Sequence, residues 1–302
     1  MRALLIGAVE GTRVALDVVA QAPGWELVAV ATLPAELAKR HSDFVDLGPA
    51  AAEAGARLMP VANGNAPEFI AQVGALDVDY VFVIGWSQLC GPAFRSQVNN
   101  RVIGYHPAAL PRLRGRAVIP WTILLDEKIT ASTLFRIDED VDSGPIIAQK
   151  FFHVAPDETA ATLYAKHMKA LRQVLGEALP RLAAGDDAGE PQDAALATWA
   201  ARRRPEDGRI DWRLPAVEVL RLIRAVGRPY PGAWTRSGEA RITLWEARPC
   251  PDGALHHGRP GQIMAIGPDS FVVLCGDGAA LRITDYSAPE AARMPLHSLL
   301  GD

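Results

Sequence analysis

The residues best equipped for chemistry lie between Gly104 and Gln149, in GYHPAALPRLRGRAVIPWTILLDEKITASTLFRIDEDVDSGPIIAQ. His106 ends an apolar run, RVIGYH, and Pro107 and Pro111 stiffen the loop behind it. Arg114-Gly115-Arg116 comes next, and the acidic turn DEDVDSG, residues 138–144, follows. An imidazole beside a carboxylate is the usual equipment for moving protons near neutral pH. Blander readings stand beside this one. A histidine at a strand end also serves packing alone, an acidic turn is usually solvated, and RGR also reads as a solvated basic loop. The spaced acids approach a calcium loop, but no glutamate follows where such a loop places its bidentate ligand. No metal site is expected.

These residues need a frame, and the flanking sequence supplies one. Apolar runs at 3–8 (ALLIGA), 25–32 (WELVAVAT), 57–61, 79–85 (DYVFVIG) and 101–106 read as buried strands. Helical segments at 12–21, 49–56, 66–76 and 117–126 are interleaved with them. Strands alternating with helices imply a mostly parallel α/β sheet. His106 then falls at the carboxyl end of a strand, where ligands of such sheets collect. Residues 130–137 and 146–153 read as extended, and 157–183 as a long helix. The first run reads as a strand rather than a signal peptide. Gly7 and Gly11 do not complete a dinucleotide fingerprint, so NAD is not expected.

Composition changes at AGDDAGEPQDA, residues 184–194, whose small and acidic residues read as a link. Beyond it comes a helix at about 215–226, then short runs at 240–247, 261–265, 270–275 and 280–285 with glycine-bearing turns. That pattern predicts a small barrel-like β domain. The expected division is a catalytic domain at 1–190, a link at 191–204 and a β-rich domain at 205–302. Hydrophobic residues make up 49% of the 302, enough for a substantial core and against disorder. The net charge of −4 argues against a generally basic nucleic-acid surface. Three scattered cysteines form neither a disulfide framework nor a zinc site. No apolar run approaches the ~18 residues of a membrane span. A cytoplasmic location is expected.

The central stretch resembles the folate-dependent formyltransferases, among them methionyl-tRNA formyltransferase and the amino-sugar N-formyltransferases. The matching positions are His106, Pro107, Leu110, Pro111, Arg114, Gly115, Asp138, Asp142, Gly144 and Ile146. The tail RRRPEDGRIDWRLPAVEVLRLIRAVGRPYPGAW and the later GRPGQI and CGDGAALRI resemble that family's C-terminal domain. The resemblance implies a Rossmann-like N-terminal domain and formyl transfer from 10-formyltetrahydrofolate to an amine. By it, His106 is the proton shuttle and Asp142 orients it. The donor pocket falls on Trp86, Ser87, Gln88 and Leu89 after the fourth strand and on Asp138, Asp140 and Val141 in the acidic turn. Arg114 meets an anionic part of donor or acceptor, or else stabilises its loop.

Two positions depart from the family pattern. The asparagine two residues before the histidine is Gly104 here, and the serine after His-Pro is Ala108. Glycine supplies no side-chain donor, and loss of one oxyanion donor typically costs about 100- to 1000-fold in rate. A substitute is expected from a backbone N–H, a water or the hydroxyl of Ser132. The segment after the second strand holds Lys39, Arg40 and His41 but also Glu36, Asp43 and Asp46, so it is no basic arm for RNA. The basic cluster Arg202-Arg203-Arg204 reads as structural or solvated. The favoured acceptor is therefore a nucleotide-linked amino sugar, and a homodimer is one expected assembly. Methionyl-tRNA, hydrolysis of the donor, and binding without turnover remain as alternatives.

Overall fold

The computed structural model describes every residue except His41, Ala291 and Asp302. His41, named above in the stretch after the second strand, thus lies outside the described residues. In chain order the elements are β1 (Arg2–Ile6), α1 (Glu10–Gln21), β2 (Glu26–Thr32), α2 (Gly48–Glu53), β3 (Arg57–Pro60), α3 (Pro67–Ala75) and β4 (Tyr80–Val83). Next come α4 (Pro92–Gln97), β5 (Val102–His106), β6 (Arg114–Gly115), α5 (Val118–Leu124), β7 (Ile129–Arg136), β8 (Ile146–His153), α6 (Ala160–Ala183) and β9 (Trp199–Ala200). The chain ends with α7 (Ala216–Val226), β10 (Ala233–Ser237), β11 (Ala240–Cys250), β12 (Ile263–Ile266), β13 (Phe271–Leu274) and β14 (Ala280–Ser287). Two compact units result. The first holds Met1–Val118, Lys128–His153 and Tyr164–Ala201; the second holds Ile119–Glu127, Val154–Leu163 and Arg202–Asp302.

The first unit is built on a seven-stranded sheet of order β3-β2-β1-β4-β5-β7-β8. From β3 to β5 the neighbours run parallel; β7 and β8 join antiparallel. Both faces are covered, which is why these strands read as near-continuous apolar runs. On one face Leu5, Phe82, Ile103 and Leu134 pack with Leu16 and Val19 of α1 and Leu171 and Val174 of α6. On the other, Leu4, Val81 and Val102 pack with Phe69 and Val73 of α3 and Phe94 of α4. Fully burying each such leucine or phenylalanine is worth about 1.5–3 kcal/mol. Strand alternation then sorts β5: Val102, Gly104 and His106 share the α3/α4 face, and Ile103 and Tyr105 the α1/α6 face.

The stretch expected as a link is in good part packed into the first unit. Glu190 and Ile146 exchange two backbone hydrogen bonds of 2.8 Å. β9 pairs in parallel with β6. Composition alone suggests a solvated linker, but the backbone groups here find partners at the start of β8 and in the RGR loop.

The second unit holds a five-stranded antiparallel, barrel-like sheet of order β10-β11-β14-β13-β12. Helix α7 buries Val219 and Ile223 and packs on β10 and β11. Strand β10, which the sequence reading did not anticipate, forms a hairpin with β11 through Gly238-Glu239, and Gly238 supplies the positive φ of 57° that such a turn requires. Arg203, in the basic cluster, stacks over Trp121 at 5.2 Å and donates to the Asp207 carbonyl, so it serves structure. Among the described residues no helix is long and apolar enough to cross a membrane.

Candidate active site

His106 ends β5 and is 5% exposed. The loop after it folds back over the sheet because two polar side chains from neighbouring strands hold it. Thr133 lies opposite His106 on β7, and Gln149 lies opposite Thr133 on β8. The Thr133 hydroxyl donates to the Ala108 carbonyl at 2.7 Å. Gln149 Nε2 donates to the Leu110 carbonyl at 3.0 Å and to Thr133 Oγ1 at 2.8 Å. The loop then brings the Leu113 carbonyl to 2.7 Å from His106 Nε2. A carbonyl only accepts, so Nε2 carries a proton. The other nitrogen, Nδ1, faces Asp142 Oδ2 at 3.5 Å. One ring nitrogen is thus fixed, and the other is left beside a carboxylate to exchange a proton.

Asp142 is itself held. Its Oδ2 accepts the Gly115 N–H at 2.8 Å, and its backbone takes a left-handed φ of 53°. Gly115 has a φ of 107°, and a Cβ there would stand 2.5 Å from the Ala200 carbonyl oxygen, so only glycine fits. Arg114 is buried, and its Nε and Nη2 donate to Gln192 Oε1 at 3.1 and 2.7 Å. Gln192 Nε2 in turn donates to the carbonyls of Asp142 and Gly144 at 2.9 and 2.8 Å.

The structure resolves what stands at Gly104, and corrects an expectation. A Cβ on Gly104 would lie 2.8 Å from Phe135 Cζ and 2.9 Å from Ile137 Cγ1. Phe135 is the cross-strand partner of Gly104 and is buried. An aromatic ring covering a strand glycine is a known way of restoring packing. The position is therefore filled by a phenyl ring. Ser132, expected as a substitute donor, is on the opposite face: its hydroxyl lies 2.9 Å from Tyr105 Oη and 3.0 Å from His167 Nδ1 on α6. Burial, and secondarily the charge His106 can carry, push the His167 pKa down to about 3. Its Nε2 has no hydrogen-bond partner among the described residues.

The other expected site residues divide by position. Trp86, Cys90 and Ile137 pack against one apolar cluster, which brings the loop after β4 and the start of the acidic turn to a common core. Ser87 is exposed and Leu89 is 71% exposed. Gln88 is turned to the neighbouring loop, accepting from Gly64 N and donating to the Ala62 carbonyl. Asp138 accepts the Ser143 hydroxyl at 2.6 Å, and Asp140 and Val141 are exposed at the tip of the turn. Thr133, Gln149, Phe135 and Gln192 went unnoticed in the sequence. Register alone would have found the first three. Nothing in the stretch around Gln192 marks it.

A model described as formyl transferase matches residues 16–179, and one described as formyl transferase, C-terminal domain, matches residues 203–301. The chain belongs to the formyl transferase family. Among solved structures, HypX from Aquifex aeolicus in complex with tetrahydrofolic acid is similar at 19% identity and a TM-score of 0.67, covering 95% of this chain and 44% of its own. This protein thus spans less than half the length of that relative. An N-formyltransferase from Helicobacter canadensis, in complex with folinic acid and dTDP-3-aminofucose, is similar at 15% identity and a TM-score of 0.67, covering 93% of this chain and 98% of its own. Phosphoribosylglycinamide formyltransferase from Bacillus halodurans covers 60% of this chain and 95% of its own at 22% identity, with a TM-score of 0.53. At these identities the likeness is one of fold.

Proposed function

We propose that this formyl transferase moves a formyl group from 10-formyltetrahydrofolate to the amine of a nucleotide-linked amino sugar. The observation that carries the chemistry is the asymmetric hold on His106, with Nε2 tied to Leu113 and Nδ1 beside Asp142. When bound, the donor supplies an electrophilic formyl carbon. His106 Nδ1 takes the proton the amine must lose as its lone pair forms the new C–N bond. It returns a proton to the nitrogen that leaves. Asp142 faces that proton and holds the ring in line. No metal enters this account.

The residues present fit such a donor. Exposed Leu89 and Val141 and half-buried Trp86 offer apolar surface for a flat ring. Exposed Ser87 and Asp140 offer polar contacts beside them, with Gln88 and Asp138 bracing the loops. Arg114 acts from behind, through Gln192.

The amino-sugar acceptor is supported by the net charge of −4 and by the fold likeness to an N-formyltransferase in complex with dTDP-3-aminofucose. Three free cysteines suit a reducing, cytoplasmic setting. The test is tetrahydrofolate release, followed by absorbance, with no acceptor, with nucleotide-linked 3- and 4-amino sugars, and with methionyl-tRNA. Turnover that depends on an amino sugar is expected. Turnover with tRNA alone would replace the acceptor, and turnover without acceptor would make the protein a hydrolase.

A further inference from the structure

We infer that Gln192 is a positioning residue for proton transfer, acting through both partners of His106. This rests on the formyl-transfer reading. The group facing each ring nitrogen comes from a different segment. Leu113, just before Arg114, supplies the carbonyl for Nε2, and the acidic turn supplies Asp142 for Nδ1. Gln192 joins those segments with one amide. Its Oε1 takes two hydrogen bonds from Arg114, and its Nε2 gives one each to the Asp142 and Gly144 carbonyls. The hydrogen-bonding capacity of that amide is thereby used on both sides.

Asp142 needs this support. A non-glycine residue at positive φ persists only where its surroundings over-determine it. The Gly115 N–H fixes the Asp142 carboxylate, and the Gln192 amide fixes its backbone. The segment carrying Gln192 is anchored on both sides. Arg114 N donates to the Thr198 carbonyl at 2.8 Å, the Leu113 N–H donates to Thr198 Oγ1 at 2.9 Å, and Glu190 bonds Ile146. A stretch that looks like a linker is thus a strap across the site, and Gln192 is the side chain by which it holds both segments.

Two variants separate the halves of this bridge. Gln192→Glu keeps an acceptor for Arg114 but sets a carboxylate against two carbonyls, freeing the acidic turn. Gln192→Leu removes both halves. Two readouts apply: the His106 ring followed by NMR across pH in the free protein, and kcat with its pH profile. Both variants should move the His106 titration. Both should lower kcat by on the order of 10- to 100-fold, as misplacement of a catalytic group does, with donor KM nearly unchanged. A lower melting temperature with an unmoved titration and an unchanged pH profile would make Gln192 merely structural and overturn the proposal. If Gln192→Leu fails to fold, Gln192→Glu decides alone. The NMR readout needs no substrate, so it stands even if the wild type proves inactive with every acceptor, a result that would defeat only the functional reading.

Discussion

His106 is held hard at Nε2 and loosely at Nδ1, and this difference governs what nearby substitutions do. Asp142→Asn keeps an oxygen for the Gly115 N–H and removes the charge beside Nδ1. It should fold normally and lose about 100- to 10,000-fold in kcat, the usual worth of positioned acid–base groups. An unchanged kcat and pH–rate profile would remove Asp142 from the mechanism. At Gly104 the ring of Phe135 occupies the space an asparagine side chain would need. Gly104→Asn should strain the pair with Phe135 and cost about 1–3 kcal/mol, as overpacking does. Urea unfolding checks this, and the double variant Gly104→Asn/Phe135→Ala should recover part of the loss. An unaltered unfolding midpoint in Gly104→Asn would mean that the ring moves aside freely.

At the scale of elements, β5 carries its chemistry on one face and its anchor on the other. Tyr105 is tied through Ser132 to His167 on α6, behind the sheet that presents His106. Because burial holds the His167 pKa near 3 in the folded state, against an ordinary 6.5, the unfolded chain binds the proton first. Its contribution to stability is therefore complete above pH 6.5 and is lost as pH falls from 6.5 toward 3. His167→Leu should flatten that part of the stability–pH curve, measured by denaturant unfolding at several pH values. A slope as steep as the wild type's would assign the acid sensitivity elsewhere. The elements themselves were largely legible from the sequence, since β1, β4 and β5 are apolar runs bounded by glycine or polar turns and α6 repeats its apolar residues at helical spacing. What stayed hidden was pairing. That Phe135 lies opposite Gly104, and that Ser132 faces away from His106, follows from the β5–β7 register, which no local pattern states. The same holds for Gln192, whose partners lie far away in the chain.

At the scale of the whole molecule, charge bears most directly on the acceptor. The chain has 31 lysines and arginines against 35 acids, and Arg203 of its basic cluster is engaged in stacking and a backbone contact. RNA recognition built on phosphate contacts loses about 10³- to 10⁵-fold in affinity between 50 and 200 mM salt. With a nucleotide-linked sugar, the acceptor KM should change little over that range. A steep salt dependence of turnover would favour a polyanionic acceptor. The central claim remains that His106 moves the proton in formyl transfer. The most direct test is His106→Asn, with tetrahydrofolate formation and donor binding by calorimetry measured on one preparation. Donor binding close to that of the wild type with kcat reduced by at least about 100-fold is the expected result. Wild-type kcat in His106→Asn would contradict the account.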